Sequence, residues 1–384
     1  MAQRMQQLGT ETAFEVLARA RALEAEGRSI VHLEIGEPDF DTADFIREAA
    51  KAALDRGETH YVPTAGLREL REAIAASIHS SRGVLVDPRR VLVTPGAKPI
   101  MFYTVLATAG PGDEVIYPDP GFPIYSSVVR FAGATAVPLP LRESNGFRVD
   151  PDELAALCTS RTRLVILNSP GNPTGAVSTD EELAAIARVA ERWDAYVLSD
   201  EIYRPIAYEG PAPSFYAQAG MPARTILLDG FSKIYAMTGW RLGFGVFPPE
   251  LVAGVERLIV NSVSCTAPFV QRGGIAALTG SQAPSVAMVE AFRQRRDFLV
   301  QALGEIPGLH CLVPQGAFYA FPRIDRFGTS QEVERGLLQE AGVAVLAGTA
   351  FGEAGEGYVR LSYANSLENL HEAVERIRRW CRDR

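Results

Sequence analysis

The chain has 384 residues, 47% of them hydrophobic and 22% charged, with a net charge of −8 and four cysteines. That length and apolar content allow two domains with large buried cores. Bases are interspersed among the acids rather than gathered into a stripe, which argues against a nucleic-acid partner, and Cys158, Cys265, Cys311 and Cys381 are too scattered for a disulfide framework or a zinc site.

His32, His60, His79, His310 and His371 show no metal-ligand spacing, so no metal is expected. The N-terminal stretch MAQRMQQLGTETAFEVLARARALEAEG lacks the continuous apolar run of a signal peptide. No run of about 18 apolar residues occurs, so no membrane span is expected and the cytoplasm is the expected location.

Residues 12–26 alternate apolar and charged positions at helical spacing, and Gly27 closes the segment. IVHLEIGEPDF follows, a short strand running into a turn at Gly36-Glu37-Pro38. From about residue 50 one unit recurs: an apolar run, a polar or Gly/Pro loop, then a helical stretch. RVLVTPGAK, DEVIYPDPGFP, TRLVILNSPGNPTG, AYVLSDEIY and RTILLDGFSK all fit it. Continuous Val/Ile/Leu strands alternating with helices predict an α/β fold with a largely parallel sheet covered on both faces. RLGFGVFP follows Lys233 too soon for a crossover helix and is expected to join as an antiparallel strand. After about residue 285, a charged helix (VEAFRQRRDFLVQAL) leads into short strands at LVPQGAFYAFP and GYVRLSYA and then a basic amphipathic helix. This predicts a large domain over residues 46–285 and a smaller α+β domain made of residues 1–45 and 286–384.

In a doubly wound sheet the loops after the parallel strands open on one rim. Those loops carry Gly96-Ala97-Lys98, Phe122, Asn172, Asp200 with Tyr203, and Ser232-Lys233, with Arg241 eight residues on. A lysine, an acid, a phenol, an amide, an aromatic ring and an arginine are parts suited to holding a phosphorylated aromatic aldehyde. Lys233 follows the apolar strand TILLDGF and is expected to precede an apolar helix, a costly place for an unused ammonium. Pro99 suits the first turn of a helix, which would aim the N–H groups of Ala97 and Lys98 at an anion.

The segments GEPDF, YVPTAGLRELREAI, NSPGNPTG, SDEIY, FSKIYAMTGWRLG, GAFY and VRLSYA span nearly the whole chain. In that order they resemble the class I and II aminotransferases of pyridoxal-phosphate (PLP) fold type I. The resemblance implies a mostly parallel seven-stranded sheet between helices plus a smaller α+β domain, PLP as cofactor, and a homodimer with active sites near the subunit interface. It implies that Lys233 carries the cofactor as a Schiff base and moves the substrate Cα proton. Asp200 would pair with the pyridine nitrogen, and Tyr203 and Asn172 with the ring O3′. Gly96, Ala97, Lys98, Ser232, Arg241 and, from the neighbouring subunit, Tyr61 would hold the phosphate, with Phe122 against the ring. Arg360 would grip the substrate α-carboxylate, with Gly36 and Asn172 beside it. A cis bond between Asn172 and Pro173 is also implied.

The chain departs from the family's common pattern at Gly230, where many relatives carry Ser, at Phe122 in place of Tyr or Trp, and at Pro99 in place of Gln or Glu. The activity implied is amino-group transfer between an L-amino acid and a 2-oxo acid, with 2-oxoglutarate as acceptor, in a ping-pong cycle through pyridoxamine phosphate. A carbon–sulfur lyase or other α,β-eliminating enzyme would use the same Lys233, Asp200 and Arg360. A non-catalytic PLP-binding regulator would need a DNA-binding domain, and only about 30 residues precede GEPDF. No G-x-G-x-x-G follows a strand and no P-loop pattern appears, so nothing points to a nicotinamide enzyme. The donor side chain stays open, with Lys98 a candidate partner for a distal carboxylate.

Overall fold

The computed structural model describes residues 1–384. It opens with α1 (Thr12–Ala25) and β1 (Val31–His32), followed by α2 (Asp44–Asp55) and α3 (Arg68–Arg82). The αβ succession then runs β2 (Val91–Thr94), α4 (Lys98–Thr108), β3 (Glu114–Asp119), α5 (Ile124–Phe131), β4 (Thr135–Pro140), α6 (Pro151–Leu157), β5 (Thr162–Asn168), α7 (Asp180–Arg192), β6 (Tyr196–Asp200), β7 (Thr225–Gly230) and β8 (Gly243–Val246). These seven strands, β2 to β8, form one sheet in the order β2-β8-β7-β6-β5-β3-β4. Its pairs are parallel except those of β8, which runs antiparallel to β2 and β7.

The inner strands β5, β6, β7 and β8 are largely apolar runs because both faces are covered, whereas the edge strand β4 is partly exposed. The period of two is visible in where each side chain goes. Leu92, Leu198 and Ile226 join one core with Ile100 and Met101 of α4. Val91, Val93 and Leu227 turn the other way, to Leu70, Ile74 and Ile78 of α3 and Ala277. Along β5, Leu164 and Ile166 point into the first core, while Val165 and Leu167 pack on Leu183, Ile186 and Ala187 of α7.

Two expected helices are missing. After β6 the chain makes turns and two short 3₁₀ segments, and no α-helix, before β7. Pro205, Gly210, Pro211 and Pro213 interrupt any helical ladder there. After β7, residues 231–242 form a chain of turns, with positive φ at Ala236 and Arg241, and return directly into β8. Lys233 therefore sits on a tight strand-to-strand connection and not at the head of a helix.

The remainder is α8 (Pro249–Ser262), α9 (Pro268–Thr279), α10 (Ala283–Gly304), β9 (Tyr319–Ala320), α11 (Ser330–Gly336), β10 (Val343–Ala344), β11 (Leu346–Ala347), β12 (Val359–Ser362) and α12 (Leu367–Arg382). β12 lies between β11 and β9, antiparallel to both, and β1 pairs in parallel with β10. Val16 and Ala20 of α1 pack with Ala344, Leu346 and Phe351, so the N-terminal segment completes this smaller layer. No helix among the described residues is long and apolar enough to cross a membrane.

Candidate active site

The C-terminal ends of β2, β3, β5, β6 and β7 and the start of β8 meet at one rim, as a doubly wound topology requires. There they wall a cavity of about 600 Å³. Lining it are Ala97, Lys98, Phe122, Asn172, Asp200, Tyr203, Ser232, Lys233 and Arg241 from the large sheet, with Gly36 and Arg360 from the smaller layer. Gly96 sits immediately behind, where a Cβ would fall 2.1 Å from an Arg241 guanidinium nitrogen. Of the residues singled out from sequence, only Tyr61 is elsewhere, 88% exposed on the surface of its own chain.

Asp200 ends β6 at the cavity floor. Its carboxylate accepts hydrogen bonds from the Tyr125 hydroxyl at 2.6 Å and from the Ile202 N–H at 3.3 Å. Burial pushes its carboxyl up to about 6, and the Tyr125 and Ile202 bonds hold it from rising further. Asn168 Nδ2 donates to the Asp200 carbonyl, and its Oδ1 accepts from the Asn172 N–H at 2.8 Å. Lys233 also reaches into the cavity, donating to the Gly36 carbonyl at 2.5 Å. Desolvation, then the Arg360 charge, pushes its ammonium down to about 8. Its Nζ lies 5.7 Å from the ring centres of both Tyr203 and Phe318.

Tyr203 is buried and shares a 2.7 Å hydrogen bond with the Tyr319 hydroxyl. That hydroxyl reaches to 2.1 Å from where a Cβ on Gly36 would stand, so the turn must be glycine. Arg360 is buried on β12 between the rings of Tyr319 and Phe351, 4.4 and 5.0 Å from their centres. It donates to the Glu34 carbonyl and, at 3.3 Å, to Asn172 Oδ1, and its Nε has no partner. The guanidinium lines the cavity and no carboxylate bonds it, which suits it to an anionic partner. The Asn172–Pro173 peptide is cis, as are Asp119–Pro120 and Ser169–Pro170.

These residues fit pyridoxal phosphate. Lys233 is desolvated and bonded to a carbonyl rather than to a carboxylate. Asp200 offers a buried carboxylate on the floor. At the other end, the N-terminus of α4, with Pro99 in its first turn, meets Arg241 and Ser232 in an arrangement suited to a phosphate.

Sequence reasoning missed Tyr125, Tyr319, Asn168 and Glu11, all of which line the cavity. Tyr125 lies three residues beyond Phe122 on α5, and a hydroxyl at that spacing from a rim residue was the available signal. Tyr319 stood in the quoted GAFY. Glu11 carried no local signal, because its contact spans 87 positions.

The family model described as "Aminotransferase class I and II" matches residues 28–377. An aspartate aminotransferase of Pyrococcus horikoshii is 43% identical over 94% of this chain and 92% of its own length. An aromatic-amino-acid aminotransferase of Thermococcus litoralis is 41% identical over 91% of this chain and 90% of its own. The structure of an aspartate aminotransferase from Thermus thermophilus with maleate superposes with a TM-score of 0.95 at 39% identity, covering 99% of both chains.

Proposed function

The chain belongs to the class I and II aminotransferases and is a PLP-dependent transaminase, and from that premise we propose how its residues divide the work. When bound, PLP supplies an aldehyde that takes up the amino group and a protonated pyridine ring that draws electrons from the substrate Cα. Lys233 would hold the cofactor and, as a free amine, would take up and return the substrate Cα proton. A lysine already held down to about 8 is suited to that task near neutral pH. Asp200 keeps the proton on the pyridine nitrogen, with Tyr125 holding the carboxylate in its charged form. Tyr203 and Asn172 would bind the ring hydroxyl, and Phe122 would lie against the ring. The N–H groups of Ala97 and Lys98, with Gly96 behind them, hold the phosphate together with Ser232 and Arg241.

Arg360 binds the α-carboxylate beside Asn172 and Gly36. The single observation that carries this assignment is its buried guanidinium, which lines the cavity and pairs with no carboxylate of the chain. Four cations line the cavity. With Lys233, Arg241 and Arg360 assigned, Lys98 remains for a distal carboxylate. The names of the aspartate aminotransferase relatives support aspartate among the donors, and 2-oxoglutarate is the acceptor that the family resemblance implies.

The working unit is a homodimer in which Tyr61 of a second copy reaches the phosphate. Its 88% exposure in its own chain supports that role. Residues 46–285 form the large domain, and residues 1–45 with 286–384 the small one, supported by the pairing of β1 with β10. Four free thiols support a reducing compartment, the cytoplasm.

Titrating the PLP-loaded enzyme with L-aspartate should bleach the visible band of the bound cofactor, and 2-oxoglutarate should restore it with glutamate as product. A band that persists while ammonia accumulates would overturn the transfer reaction.

A further inference from the structure

Glu11 occupies the position before α1 where Ser, Thr, Asp or Asn would cap the helix, yet its side chain makes no cap. It crosses instead to the large sheet and pairs with Lys98 Nζ inside the cavity. The carboxylate is the better buried partner, with its side chain 20% exposed against 48% for Lys98. Phe14, three residues on and so on the same helical face, also lines the cavity and is itself 61% exposed. Ile35 and Met101 add apolar wall, and Lys98 Nζ stands 5.4 Å from the centre of the Phe122 ring. The one cation left for a distal carboxylate is thus already neutralised by the chain's own carboxylate, beside an aromatic side chain with open space before it.

We propose that Glu11 is a specificity-determining residue that occupies the distal-carboxylate subsite, so that one cavity serves acidic and neutral amino acids in turn. The inference rests on the transaminase reading of the cavity and on Lys98 as the distal cation. With a neutral, apolar or aromatic side chain, the Glu11–Lys98 pair stays closed and the substrate lies against Phe14 and Ile35. With a dicarboxylic substrate, the distal carboxylate displaces Glu11, which swings toward solvent from the head of α1. An acidic substrate therefore loses affinity to an internal competitor, while a neutral one does not meet an unpaired ammonium. The selectivity for dicarboxylates is held down in favour of breadth.

The test uses the PLP-loaded enzyme and Glu11→Gln, with Lys98→Met as a second background. Succinate, which has no amino group to transfer, is titrated by the shift it causes in the cofactor's visible band. Values of kcat/KM are measured in parallel for aspartate and phenylalanine. Glu11→Gln should bind succinate about fivefold tighter and move the aspartate-to-phenylalanine ratio of kcat/KM about fivefold toward aspartate. In the Lys98→Met background the same change should have no effect on succinate. Unchanged or weaker succinate binding in Glu11→Gln would overturn the proposal and leave the pair as a mere tether for α1. If Lys98→Met alone leaves succinate affinity intact, Lys98 is not the distal cation, and that failure is separate from any fault in the role of Glu11.

Discussion

The floor and the mouth of the cavity are built on different physics. The floor (Asp200, Tyr203, Lys233, Tyr319, Arg360) is desolvated, held by hydrogen bonds of 2.5–3.3 Å, and charged groups there are pushed away from their ordinary protonation ranges. The mouth (Glu11, Phe14, Lys98) is partly wet, comes from the starts of α1 and α4, and is tied by one ion pair. Loss of a group from a desolvated floor strands its buried partners, at a cost of several kcal/mol. A half-solvated pair exchanges its partner for water or ligand at about 1 kcal/mol or less. Chemistry is thereby fixed while selectivity stays adjustable.

The largest effect expected from the floor is that of Lys233→Met. Turnover should fall by about 10⁴-fold or more, because both the covalent hold and the proton carrier go. The cofactor-free form of the same variant gives an independent readout. The folded protein holds the Lys233 ammonium at about 8, below the 10.5 of an exposed lysine. The unfolded chain then binds more protons between those values, so the wild type gains stability as pH rises from about 8 toward 10.5. Below that window the buried charge is a full penalty. Lys233→Met should be more stable than wild type by about 2 kcal/mol at pH 7 and should lack that rise in denaturant titrations at pH 7 and 10. Equal stability at pH 7 would mean that Lys233 is not desolvated and that floor and mouth differ less than described.

Next in size is Arg360→Ala. An unpaired substrate carboxylate in a buried site should lower kcat/KM by about 2–5 kcal/mol equivalent, mostly through KM. A loss below tenfold would move Arg360 out of the floor group.

The contrast also explains what was legible in the sequence. Strand ends and their chemistry lie within a few residues of each other, so Asp200 after AYVLS and Lys233 after TILLDGFS could be placed on the rim directly. The antiparallel β8 followed from the short connection after Lys233. Helices after β6 and β7 were expected by extending the αβ rhythm, but prolines interrupt the first stretch and the second is a short run of turns that leads straight into β8. Contacts that cross the fold left no trace. Tyr125 meets Asp200 across 75 positions, Tyr203 meets Tyr319 across 116, and Glu11 meets Lys98 across 87. Nothing in local periodicity specifies such pairs, because only the strand order of the sheet and the placement of α1 bring them together.

The smallest of these effects, and the one that probes the floor most finely, concerns Tyr125. Its hydroxyl stabilises the charged form of Asp200, whose folded-state carboxyl stands near 6 against 3.8 when exposed. A carboxyl raised by folding contributes fully below the unfolded value, and that contribution is lost as pH rises through the folded one. In the cofactor-free protein, stability should therefore fall between about pH 4 and 6 on account of this group. Tyr125→Phe deletes one charge-assisted hydrogen bond, about 1.5 kcal/mol, and so should carry the fall about one unit higher in pH. The same change leaves the carboxylate less able to hold a proton on the cofactor's ring nitrogen. PLP binding at pH 7 should weaken by about tenfold while the aspartate-to-phenylalanine selectivity stays put, since the mouth is untouched. A shift in selectivity without one in cofactor affinity would show that floor and mouth are coupled, and the division of labour drawn between them would have to be abandoned.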